Sequence, residues 1–116
     1  MRVFIMIFQS MNEDGVPAWQ LILDGKKTVT RRAKPKRINS ILSVQPRRCA
    51  KGICKIKIKN CMLHIDWLKN VKSEEEYQKE AEREGFKTYD SLIQWLGKHA
   101  KNKIENLWRI EFELVK

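Results

Sequence analysis

Apolar and polar positions alternate along the chain in two rhythms. Arg2 to Phe8 is rich in Val, Ile and Phe and predicts a buried or half-buried strand. Cys54 to Lys59 alternates cleanly, with Cys54, Ile56 and Ile58 facing one way and Lys55, Lys57 and Lys59 the other. Trp108 to Leu114 repeats the pattern, with Trp108, Ile110, Phe112 and Leu114 inward. Thr28–Val29–Thr30 and Ile41–Val44 are shorter β-prone runs. Met62–Ile65 predicts an extension of the sheet or a further strand.

Helical segments are marked by their ends. Gln9–Gly15 is a polar loop, and Pro17 suits the first turn of a helix running through Trp19–Leu23. Gly25 stands where a left-handed C-terminal cap belongs. Ser73 with Glu76 makes a capping box, opening a helix that runs to Glu84 and stops at Gly85. A second helix spans Tyr89–His99, with Leu92, Ile93, Trp95 and Leu96 on its apolar side. The order β-α-β-β-β-α-α-β predicts an α+β fold around a mostly antiparallel, curved sheet. No repeat, low-complexity tract or linker divides residues 1–116, so one domain is expected.

Composition narrows the partner. Hydrophobic residues make up 42% of the 116 and charged residues 33%, a globular balance. No apolar run approaches the ~20 residues of a membrane span, and the N-terminal run is too short for a signal-peptide core. A soluble cytoplasmic protein without membrane partners is the expectation. The net charge is +10, and residues 26–59 contain no Asp or Glu. Such a window points to a phosphate-rich partner. The three cysteines are odd in number and lack zinc-site spacing, so no disulfide framework, metal or cofactor is expected. His64 and His99 each stand alone, and the four tryptophans are expected in the core.

Two features sit uneasily with a purely structural reading. Gly25–Arg32 crowds Lys26, Lys27, Arg31 and Arg32 around Thr28 and Thr30. On a helical wheel with Tyr77 at zero, Ala81 lies at about 40° and Glu84 at about −20°, so Glu84 shares the inward stripe. An inward carboxylate at the negative end of a helix needs a cation or donors. A lysine crowded by other cations and desolvated has a lowered pKa and can act as a base, with Thr28 or Thr30 as the nucleophile it activates. Strict alternation puts Lys27 and Thr30 on opposite faces, so a joint role requires an irregular turn after Gly25.

The run Gly25–Lys26–Lys27–Thr28–Val29–Thr30–Arg31–Arg32 resembles the signature of the ASCH domain family, a Gly-x-Lys start with an Arg five positions after that Lys. Glu80–Phe86, the following helix and the terminal Trp–x–Ile–x–Phe–x–Leu strand are similar to the family as well. The resemblance implies a PUA-like fold, a small β-barrel with two to three helices around a central cleft, and RNA or a modified nucleoside as ligand. It also implies similarity to bacterial N4-acetylcytidine amidohydrolases, whose Lys, Thr and Glu fall on Lys27 as base, Thr30 as nucleophile and Glu84 as site-tuning carboxylate. Many members carry an acid at the Thr30 position, and Thr here leans towards the amidohydrolase pattern. Lys26, Thr28, Arg31, Arg32, Arg47 and Arg48 are the expected ligand contacts, with Arg31 or Arg32 meeting phosphate at the cleft mouth. Metal-independent RNA cleavage is a further family activity. A protein that merely coats nucleic acid predicts instead no cleft near Lys27 and an exposed Glu84.

Overall fold

The computed structural model describes residues 4–115. Its elements are β1 (Ile5–Ile7), α1 (Ala18–Leu23), β2 (Val29–Arg32), β3 (Ile41–Gln45), β4 (Cys54–Leu63), α2 (His64–Asn70), α3 (Glu74–Glu84), α4 (Tyr89–His99) and β5 (Trp108–Leu114). A 3-10 turn at Ile104–Asn106 leads into β5. Arg2 and Val3 of the expected first strand lie outside the described residues.

The strands form one sheet in the order β1-β3-β4-β5-β2. β1 runs parallel to β3, and the other pairings are antiparallel. The sheet curls into a half-barrel, an α+β architecture as expected. Its open side lies between the two edge strands. There the Arg32 guanidinium on β2 donates to the Ile7 carbonyl on β1 at 2.8 Å and lies 4.6 Å over the Phe8 ring. A side chain thus joins two edges that no backbone ladder connects.

Inside the curl, Met6, Phe8, Ile22, Leu42, Val44, Ile56, Ile58, Ile110 and Phe112 are buried together. The alternation of β4 holds as far as Ile58. A bulge between Ile58 and Asn60 then shifts the register against β5, so that Cys61 pairs with Ile110 and turns inward. A smaller cluster, Leu92, Leu96 and Leu107, packs α4 against the segment before β5.

The helix ends follow the sequence signals. Gly25 (φ 74°) and Gly85 (φ 94°) are left-handed and end α1 and α3. The Ser73 hydroxyl accepts from the Glu76 N–H at 3.4 Å, and the Glu76 carboxylate reaches back to the Lys72 N–H at 2.9 Å. One expected element differs. His64 opens a fourth helix, α2, instead of continuing a strand. Trp67 and Leu68 follow His64 at helical spacing, and Asp66 suits the positive end of the first turn.

Candidate functional site

Gly25 turns the chain so that the N–H groups of Lys26 and Lys27 both donate to the Leu21 carbonyl, at 2.9 and 3.0 Å. Lys27 therefore lies outside the strand alternation, which begins at Val29. The irregular turn that a joint Lys27–Thr30 role requires is present. Thr28 pins it, donating its N–H to the Arg83 carbonyl at 2.9 Å and accepting from the Phe112 N–H at 2.9 Å. Thr28 thus ties the loop to the end of α3 and to β5.

The Lys27 side chain reaches the last turn of α3. Its ammonium donates to the Glu84 carbonyl at 2.8 Å and to Glu84 Oε1 at 3.2 Å. Lys27 is 7% exposed and Glu84 5%. Burial pushes the Lys27 pKa below its ordinary value; Glu84 pulls it back up, and Arg32 and Arg31 push it down. An ammonium has three donors, so one N–H remains beyond the two given to Glu84.

The second Glu84 oxygen accepts from Arg31 at 2.7 Å. Arg31 or Arg32 was expected at the cleft mouth as a phosphate contact; Arg31 borders the cavity, but its side chain is fully buried beneath α3. The cause is the β2–β5 register, which sets Arg31 directly opposite Arg109. Two facing cations on one sheet face repel unless acids intervene. Glu80, 1% exposed, accepts from Arg31 at 2.8 Å and from both the Nε and Nη2 of Arg109. Burial pushes the Glu80 carboxyl up, but the two arginines outweigh it and hold its pKa below the ordinary value. His64 completes the cluster. Its Nδ1 accepts from Arg31 Nε at 2.9 Å, and burial together with the Arg31 charge lowers its pKa to about 4. Trp67 covers the Arg31 guanidinium at 4.8 Å.

On the other face of β2, Thr30 and Arg32 look into a cavity of about 480 Å³, whose wall includes Lys27 and Glu84. Its apolar lining includes Phe8, Leu21, Phe86, Trp95 and Leu107. Thr30 is 5% exposed, and its Oγ1 accepts from Arg32 Nε at 3.3 Å. Among the described residues no hydrogen bond uses the Thr30 proton, which stays free for a base or ligand. This geometry contradicts the coating reading, which required an exposed Glu84 and no cleft near Lys27.

The remaining expected contacts lie elsewhere. Lys26 is exposed and borders a separate surface depression with Glu13, Asp14 and Glu82. Arg47 and Arg48 are exposed between β3 and β4 and do not line the cavity. Sequence reasoning missed Glu80, Arg109, Trp95 and His99. Glu80 carried a usable signal, since it precedes Glu84 by one helical turn and shares its stripe. Trp95 and His99 line the cavity although neither residue type nor spacing marked them.

No family model matches the chain, and no curated protein does. Solved structures do. The protein EF3133 of Enterococcus faecalis V583, assigned to the DUF984 family model, superposes with a TM-score of 0.60 at 16% identity, over 99% of this chain and 82% of its own. The hypothetical protein PH0355 superposes with a TM-score of 0.56 at 20% identity, over 95% and 100%. The chain shares their fold. An ASCH domain from Lactobacillus crispatus JV V101 aligns at a TM-score of 0.49 and 18% identity, over 84% of this chain and 69% of its own.

Proposed function

We propose that the cavity binds a nucleoside, either free and modified or as one unit of an RNA chain. The observation that carries this reading is the convergence of Lys27 and Thr30, from the Gly25–Arg32 run, with Glu84, from the end of α3, on one cavity of about 480 Å³. That volume is in the range of small-molecule sites, roughly 300–1,000 Å³. Its lining offers flat apolar surface for a base and a few polar groups for its edge. The motif resemblance to ASCH domains and the +10 net charge favour the same ligand class. RNA binding would then weaken steeply with salt while nucleoside binding would not. Titrating cytidine and a short single-stranded RNA at several salt concentrations tests the reading; failure to bind either removes it.

A second reading is favoured by two groups that line the same cavity, the buried Thr30 hydroxyl and Lys27, whose pKa burial lowers. Here the cavity hydrolyses N4-acetylcytidine. Lys27, in its deprotonated form, takes the Thr30 proton, and Oγ1 attacks the acetyl carbon. The bond to N4 breaks, Lys27 returns the proton to N4, and cytidine leaves. Water then cleaves the acetyl–Thr30 ester and releases acetate. The Arg32 hydrogen bond to Oγ1 steadies charge on that oxygen as it leaves the proton. Release of cytidine from N4-acetylcytidine, abolished in Thr30→Val, is the expected result; an equal rate in Thr30→Val would exclude this mechanism.

A further inference from the structure

We propose that Trp95 and His99 form the wall on which the cavity stacks its nucleobase. The inference rests on the nucleoside reading and adds the residues that grip the base. The two rings sit one turn apart on α4 and are already stacked, with centroids 4.4 Å apart and planes 21° apart. Phe86, which also lines the cavity, abuts the indole at 5.8 Å. Trp95 is half-buried and His99 exposed, so the imidazole is the outer ring. Both line the same cavity as Lys27, Thr30 and Glu84.

His99 is held in place by a bond that also sets its tautomer. Its Nδ1 lies 2.9 Å from the Trp95 carbonyl, and a carbonyl only accepts, so Nδ1 carries the proton. The ring is thereby fixed parallel to the indole before any ligand arrives. A preordered aromatic face loses little freedom on binding, and nucleobases stack on such faces whatever their edge pattern. The polar groups across the cavity then read the base edge. A His99 that merely finished α4 would need the carbonyl bond but no place in the cavity wall.

The test uses the full chain and cytidine, which the proposed hydrolysis does not consume. Calorimetric titration of His99→Ala is expected to show affinity about 5- to 10-fold lower, the low end of base–aromatic stacking because imidazole is small. His99→Phe, which keeps an aromatic face, is expected within about twofold of the parent on the same basis. The chain has two histidines, so proton spectra separate them readily. Cytidine is expected to move the His99 ring protons upfield and to leave those of His64 in place. Unchanged affinity in His99→Ala, or unmoved His99 protons in a protein that binds cytidine, would overturn the stacking wall alone. Absence of binding of both cytidine and a short single-stranded RNA in the parent would overturn the cavity reading and this inference with it. If His99→Ala fails to fold, the proton shift in the unaltered chain decides.

Discussion

The Lys27 ammonium and the Glu84 carboxylate, 57 positions apart, meet at 3.2 Å inside the fold. The same carboxylate holds Arg31 at 2.7 Å with its other oxygen. Glu84 is therefore a bridge between the cavity, which Lys27 lines, and the arginine cluster beneath α3. Replacing it perturbs both contacts. Glu84→Gln removes the charge that raises the Lys27 pKa, so that pKa falls further. If Lys27 serves as a base, the acid limb of the pH–rate profile moves to lower pH. The same variant leaves Arg31 one acid short in the interior, and denaturant titration is expected to show a loss of about 3 kcal/mol.

Acid sensitivity follows from His64. Its folded pKa, about 4, lies below the ordinary value of 6.5, so the unfolded chain binds the proton first. The stabilisation is complete above pH 6.5 and declines as the pH falls to about 4, by roughly 3 kcal/mol. Glu80, whose folded pKa is also depressed, adds a loss in the same direction below its ordinary value of 4.5. Melting temperatures between pH 7 and 4.5 are expected to fall in the parent. His64→Gln keeps an acceptor for Arg31 but does not titrate, and its curve is expected to be flatter over that interval. A parallel fall in both would contradict the role given to His64.

Gly85 ties the cavity to backbone conformation. It is left-handed at φ 94°, and a Cβ there would meet Leu21 Cδ1 at 2.7 Å. Its carbonyl accepts from Asn12 Nδ2 at 3.2 Å, which fixes the residue following Glu84. Gly85→Ala is expected to destabilise by about 1–2 kcal/mol from the left-handed strain alone. Because Lys27 bonds the adjacent Glu84 carbonyl, ligand affinity should drop with it.

Arg47 and Arg48 offer a control that separates RNA from nucleoside. Both are exposed and outside the cavity lining. Changing both to Ala is expected to reduce the salt slope of single-stranded RNA binding by about 0.7 per lost phosphate contact. Cytidine affinity should not move. An unchanged slope would place the RNA path away from the turn between β3 and β4.

The sequence carried the strands through their two-residue alternation and the helices through Ser73, Gly25 and Gly85. It also carried Glu84, because an acid on an apolar stripe is legible without a structure. The Arg31–Glu80–Arg109 cluster was not legible. It depends on a register that sets two arginines face to face and on α3 covering that face of the sheet. The start of α2 at His64 and the bulge after Ile58 were hidden for a related reason, since both depend on how β4 meets β5. Trp95 and His99 read as an apolar helix stripe and a lone histidine; only the packing of α4 against the cavity gives them a common wall.

The most direct test is equilibrium binding of cytidine to the parent chain and to Lys27→Met. Methionine fills much of the lysine volume, and Glu84 keeps Arg31 as a partner, so the fold is expected to persist. The parent should bind saturably. Lys27→Met should bind at least about tenfold more weakly, as expected for one lost charged hydrogen bond. Equal affinity in the two proteins, or no saturable binding in either, would contradict a nucleoside site at Lys27.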